Sequence, residues 1–281
     1  MSQEFTLHTH NGECHFDGRA TAEEMVSAAE EKGFKTIGVS NHMICHEGLF
    51  QPPKPEVMFM SDFNEAEKVY MRHIEILENL KGKCNIDIKI GFEADFFPDK
   101  TWRKNFERML TRLPLDYLVG TCHFLMSDNL RFLCNIYHLK HLQEPLTPEQ
   151  QREYVKNHFA NIAAAIRSGY YSFMAHIDYC TIFGLGESEE YDEDKYKIIE
   201  ALRETKLPFE INTSGYNRIN RPHPTPWIIK ELTKSSDVPV LLSDDAHAPE
   251  QLGQHFDKAE ALLQELNYQP RFTLDMLKKP L

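Results

Sequence analysis

Phe5-Thr6-Leu7-His8-Thr9-His10 is the stretch on which the fold turns. Its alternating pattern reads as a short strand, and it ends on two histidines two positions apart. An extended chain has a period of two, so His8 and His10 share one face and Thr9 takes the other. Outward from there, Thr21 and Glu24 form a capping-box pattern at the start of a helix, and Gly33 stands where that helix would stop. A second β-rich run, Thr36-Ile37-Gly38-Val39-Ser40-Asn41-His42, follows at once and again ends on a histidine.

The same alternation continues along the chain. The spacing predicts strands at 5–10, 36–42, 86–96, 117–125, 173–179, 209–213 and 238–245. Helices are expected at 21–33, 64–80, 102–113, 148–168, 190–205, 227–235 and 257–266, none with an internal proline. Repeated βα units imply a mainly parallel sheet in an α/β fold. Two connections are long, 43–62 and 126–147, as lids or substrate walls tend to be. No repeat, low-complexity tract or composition shift marks a linker, so one domain spanning 1–281 is expected.

The 281 residues are 41% hydrophobic and carry a formal net charge of −12. That charge opposes a nucleic-acid partner, because phosphate-backbone binders present a basic face. A small anionic substrate would need local cations, which bound metals can supply. There is no apolar run of transmembrane length and no basic-then-apolar leader, so no membrane partner and a cytoplasmic location are expected. The six cysteines are scattered without CxxC spacing and read as reduced thiols. Cys14 and Cys122 lie near candidate ligands, with apolar packing the expected role of Cys122.

Position carries the functional reading. His8, His10, His42, Glu93, His123, His176, Asp245 and His247 all fall at or just after the C-terminal end of a predicted strand. In a barrel of parallel strands those ends share the face on which βα loops build active sites. Taken singly, each could be a hydrogen-bonded core group. Together, buried ionisable groups at a cost of several kcal/mol apiece call for metal coordination. Imidazole and carboxylate donors suit zinc, iron or manganese better than magnesium or calcium. His46, His73, His138, His141, His158 and His255 lack the strand-end position and read as surface or loop residues, with His138 and His141 as candidates for the pocket wall.

The ordered motifs His8-Thr9-His10, Gly38-Val39-Ser40-Asn41-His42, Gly91-Phe92-Glu93-Ala94-Asp95, Gly120-Thr121-Cys122-His123-Phe124, Ala175-His176-Ile177-Asp178, Glu210-Ile211-Asn212-Thr213-Ser214-Gly215 and Ser243-Asp244-Asp245-Ala246-His247 resemble the polymerase-and-histidinol-phosphatase (PHP) superfamily. Within it the chain is similar to the histidinol-phosphate phosphatases, over nearly its whole length. The resemblance implies a distorted (βα)7 barrel with two to three divalent metal ions. His8, His10, Glu93 and Asp245 would hold the first, and Glu93, His123 and His176 the second, with Glu93 as the bridge. The third would sit on His42, His247 and a residue of the first loop. Relatives usually show Cys-x-His-Gly there, whereas this chain reads Cys14-His15-Phe16-Asp17-Gly18; counting back from Gly18 favours Asp17 over His15.

The implied activity is hydrolysis of a phosphate monoester, L-histidinol phosphate, in histidine biosynthesis. The metals would activate water and stabilise the leaving oxygen, and Asp245 or His247 would protonate the departing alcohol. Arg218 is the expected phosphate contact, with Arg221 second and Arg131 as another candidate; Asn212 would also bind substrate. Asp178 could meet the amine of an amino-alcohol. Another small nucleotide, cyclic or sugar phosphate is the alternative substrate, and a non-catalytic metal-binding module the alternative class.

Overall fold

The structure, a computed structural model, describes residues 3–49, 59–125, 133–134, 146–234 and 237–280. Seven parallel strands follow one path: β1 (Phe5–Thr6), β2 (Thr36–Val39), β5 (Asp87–Asp95), β6 (Tyr117–Thr121), β9 (Phe173–Met174), β10 (Phe209–Asn212) and β11 (Val240–Ser243). Chain order equals spatial order, as repeated βα units require. The path bends into a nearly closed barrel. Its seam is light: Thr9 bridges Ala246, and the His10 N–H donates to Ala246 O at 2.7 Å. The Gln3 side chain spans the same gap, donating to Leu242 O at 2.7 Å and accepting from Leu242 N at 2.9 Å.

The helices are α1 (Ala22–Glu31), α2 (Phe63–Leu80), α3 (Lys100–Leu110), α4 (Pro148–Ser168), α5 (Asp192–Thr205), α6 (Gly215–Ile219), α7 (Pro226–Thr233) and α8 (Phe256–Glu265). The capping box at Thr21 and Glu24 forms as expected, and Gly33 adopts φ 86 just after α1, a left-handed conformation that glycine takes without strain. Alternate strand residues divide two cores. One lies under the helices and includes Ile88, Leu118 and Leu242; the other gathers Leu7, Tyr117, Val119, Phe173, Ala175 and Leu241 around Phe272. Gly38 and Gly91 leave room for the Tyr117 side chain, since a Cβ there would fall 2.3 Å from its hydroxyl oxygen and 2.5 Å from its ring, respectively. Phe272 comes from a C-terminal strap that pairs with Val240 and is tied to Ser172 through Lys278.

Several expected strands are shorter, each for a local reason. The run at 36–42 breaks at Ser40 and Asn41, whose carbonyls both accept the Glu93 N–H; the chain resumes as β3 (His42–Cys45) with His42 in register with Glu93. β3 also pairs with β4 (Phe59–Met60). The run at 117–125 ends at Thr121 because Asp95 Oδ1 captures the N–H groups of His123 and Phe124, and β7 (Phe124–Leu125) turns to pair with β8 (Leu133–Cys134). The run at 173–179 stops at Met174: His176 has φ 20, and Tyr179–Phe183 winds into a 3-10 turn. Asp245, at φ 48, likewise leaves the extended conformation after β11.

Among the described residues no helix is long and apolar enough to cross a membrane. Two histidines expected at the surface are buried instead. His73 lies on the face of α2 that also buries Tyr70, Ile74 and Leu77, and His158 lies on the buried face of α4 beside Val155, Phe159 and Ile162. Burial lowers His73 to about 4 and His158 to about 3, so both are neutral.

Candidate metal centre

Each strand end delivers its polar residue to one volume, and Glu93 stands in the middle of it. Glu93 Oε2 faces His42 Nδ1 at 2.9 Å, His8 Nε2 at 3.4 Å and His10 Nε2 at 3.7 Å. Its other oxygen, Oε1, faces His176 Nε2 at 3.0 Å and His123 Nε2 at 3.4 Å. Asp245 Oδ1 lies 3.3 Å from His10 Nε2 and 3.7 Å from His8 Nε2. Toward solvent, Asp17 Oδ2 lies 3.3 Å from His42 Nε2 and 3.2 Å from His247 Nε2. His8, His10, Asp17, His42, Glu93, His123, His176, Asp245 and His247 therefore meet. They fall into four overlapping groups whose donor atoms lie within 4.8 Å of one another.

These donors are poorly satisfied by the protein itself. His8 Nε2, both nitrogens of His10, His42 Nδ1, both oxygens of Glu93 and Asp17 Oδ1 are buried and lack a hydrogen-bond partner. Buried polar groups are normally paired, so this concentration of unpaired donors at one point fits divalent cations. The mixture of imidazole and carboxylate is the donor set of zinc, iron or manganese. The charges agree. Burial alone would raise the Glu93 carboxyl, but the imidazoles of His123, His8 and His42 outweigh it and hold the group well below the usual carboxylate range. Asp245 and Asp17 are held low against burial by their own imidazole neighbours. Burial, with His247 nearby, takes His10 down to about 3, which keeps its ring neutral with a lone pair to give.

Behind the donors stand carboxylates that sequence reasoning left without a role. Glu210 Oε2 lies 2.8 Å from His8 Nδ1, while its Oε1 accepts from His176 N at 3.0 Å and Asn212 Nδ2 at 2.7 Å. Asp95 Oδ2 lies 3.0 Å from His123 Nδ1. Each acid takes the outer ring nitrogen and so turns Nε2 toward Glu93, the usual way that a carboxylate fixes a ligating histidine. The strand period was the available signal: Asp95 is two residues from Glu93, and Glu210 two from Asn212.

The loop after β10 leaves and returns through one backbone bridge between Asn212 and His223, and α6 lies inside it. Of the expected substrate residues on this loop, Arg218 is exposed, and the negative charges of Asp245 and Asp17 favour its charged form. Arg221 is engaged with Asp178 and Glu187. Asn212 is buried and spends its amide on Glu210, Asp245 and Ser214. Asp178 is also occupied, by His223 Nδ1 at 2.5 Å and by the Thr225 N–H at 2.7 Å. In the first loop Asp17 reaches the cluster, whereas His15 is exposed with a left-handed φ of 68. Cys122 is packed in the core, and Cys14 packs against its edge. Arg131, His138 and His141 lie outside the described residues, as do parts of both long connections.

Comparison with known proteins agrees with this architecture. The chain is 25% identical over 261 residues to a Deinococcus radiodurans protein named "Probable histidinol-phosphatase", covering 90% of this chain and 89% of that one. It superposes with a TM-score of 0.70 and 19% identity on a Listeria monocytogenes protein proposed to be a histidinol phosphatase, covering 90% of this chain and 99% of the other. A histidinol phosphate phosphatase of Lactococcus lactis, complexed with zinc, L-histidinol and phosphate, superposes at 0.65 with 18% identity over 99% of each chain. At these identities the two structures speak for the fold. The sequence pattern of the PHP domain matches residues 6–214, from β1 through the turn after β10, and the chain belongs to the PHP domain family.

Proposed function

We propose that the chain is a metal-dependent phosphoric monoester hydrolase that converts L-histidinol phosphate to L-histidinol and phosphate. One observation carries the chemistry: the two oxygens of Glu93 face different sets of imidazoles, as a carboxylate bridging two cations would. The proposed ligands are His8, His10, Glu93 and Asp245 for one ion and Glu93, His123 and His176 for the next. Asp17, His42 and His247 would hold a third, more exposed ion, and zinc, manganese or iron all suit these donors. Such ions, when bound, lower the pKa of water from 15.7 toward ~7 and offset the charge of a phosphate.

The chain's own residues supply the remainder. Glu210 and Asp95 orient His8 and His123, and Arg218 presents a fork of donors that matches phosphate oxygens. The proton for the departing oxygen would come from buried Asp245 or partly exposed His247, whose Nδ1 lies 3.7 Å from Asp245 Oδ1. The small substrate is favoured by the names of the Deinococcus relative and of the zinc-containing Lactococcus structure. Steady-state phosphate release by metal-replete protein tests the reading, with L-histidinol phosphate beside a panel of nucleotide and sugar phosphates. A kcat/KM several orders of magnitude higher for histidinol phosphate supports it. A faster ester elsewhere in the panel would overturn the substrate, and no hydrolysis at all would overturn the enzyme.

A further inference from the structure

The bonds between β1 and β2 slip by one residue just before the first proposed ligand. Phe5 pairs with Thr36 and Thr6 with Ile37, and the Thr36 N–H donates to Glu4 O. Carried on unbroken, that register would bring the Ser40 N–H to His8 O; it donates instead to Thr9 O at 2.9 Å. One extra residue therefore lies on the β1 side, which makes a β-bulge. The side chains show its consequence. Leu7 points into the inner core with Tyr117, Val119 and Leu241, yet His8, the next residue, also points inward, at Glu93 and Asp245. Glu93 belongs to that inner face, being two residues beyond Gly91, which meets the Tyr117 ring. A regular strand sends neighbours to opposite faces, so without the slip His8 and His10 would turn away from the cluster and Thr9 would turn in.

A bulge takes backbone groups out of the ladder, and here side chains hold them. The buried Tyr117 hydroxyl, from β6 across the barrel, donates to Leu7 O at 2.7 Å. It reaches that carbonyl through the gap left by Gly38, where a Cβ would fall 2.3 Å from the hydroxyl oxygen. On the β2 side, Thr9 Oγ1 donates to Gly38 O at 2.9 Å, and Ser40 Oγ accepts from Thr9 N at 3.2 Å. The Tyr117 hydroxyl acts on the peptide that joins Leu7 to His8. It therefore sets the direction in which the imidazole leaves the backbone.

We propose that Tyr117 is a positioning residue whose hydroxyl holds the Leu7–His8 peptide in the bulge and so turns the His8 imidazole into the metal centre. This role rests on the metal-binding reading of the cluster. Metal-stripped wild type, Tyr117→Phe and Phe272→Leu are compared by zinc competition against a calibrated chelator, by the visible absorption of the cobalt-loaded protein and by melting of the metal-free protein. Tyr117→Phe keeps the ring, stacked on Phe173 with centroids 6.2 Å apart, and deletes only the donor. Phe272→Leu thins the same inner core but leaves every hydrogen bond of the bulge in place. The expected result in Tyr117→Phe is about tenfold weaker zinc binding, as for loss of a group that orients a ligating histidine, with an altered cobalt spectrum. Phe272→Leu should bind zinc within twofold of wild type with an unchanged spectrum, even though it melts lower. Zinc affinity within twofold of wild type in Tyr117→Phe, or an equal loss in Phe272→Leu, would overturn the role and leave the metal centre standing. Wild-type protein that binds no zinc would overturn the metal centre and this role with it.

Discussion

Glu210→Gln replaces one buried atom behind the cluster and tests whether His8 is held as a ligand. In the native chain Oε1 accepts two hydrogen bonds, from His176 N at 3.0 Å and Asn212 Nδ2 at 2.7 Å. A glutamine must keep its carbonyl there or leave two buried donors unpaired. Its NH2 then faces His8 Nδ1, where Glu210 Oε2 now lies at 2.8 Å. An amide nitrogen only donates, so His8 Nδ1 must become the acceptor and the ring proton must move to Nε2. That is the atom that points at Glu93 and Asp245, and a protonated nitrogen cannot bind a metal. Losing an outer-shell partner of this kind typically lowers metal affinity 10–100-fold, or ~1.4–2.8 kcal/mol. Competition against a calibrated chelator, with metal content read by mass spectrometry, measures it. The melting temperature provides an independent reading, because a ligand at free concentration L that binds only the folded state stabilises it by RT ln(1 + L/Kd), which falls as Kd rises. An affinity within twofold of wild type would refute the carboxylate–imidazole orientation.

Glu93→Gln should leave less than the wild-type metal content and remove hydrolysis, and normal activity with full metal content would contradict the bridge. Asp17→Ala should release one ion and spare the others in a stoichiometry measurement, whereas His15→Ala should leave the metal count unchanged. Phe272→Ala should destabilise the fold by ~3–5 kcal/mol in urea unfolding, because the ring closes the inner core of the barrel from the C-terminal strap; a change under ~1 kcal/mol would mean that the strap is dispensable.

The clustering of the donor side chains was legible in the sequence because parallel strands share one end and an extended run has a period of two, which pairs His8 with His10; Asp245 and His247 lie beyond β11, where the left-handed turn at Asp245, not an extended run, sets their placement. Asp17 was legible from its distance to Gly18. Glu210 and Asp95 were visible as residues but not as partners, since what they do depends on which strand lies beside them. His73 and His158 could have been recognised as buried, because each lies on an apolar helical face at the i, i+3, i+4 positions; lacking a strand end was the wrong criterion for residues on helices. The short pairs β3 with β4 and β7 with β8 arise from contacts between segments that local propensity does not register. The five-residue helix α6 exists because the loop must return from Asn212 to His223, a constraint that only the folded chain imposes.

The most direct test of the metal centre is anomalous diffraction at the zinc, iron and manganese edges from crystals of protein purified without chelator. Two peaks flanking Glu93, each ~2.0–2.2 Å from imidazole nitrogens and carboxylate oxygens, are expected, with a third among Asp17, His42 and His247. Well-ordered side chains around Glu93 with no anomalous peak between them, in crystals of protein that hydrolyses histidinol phosphate, would contradict the metal assignment.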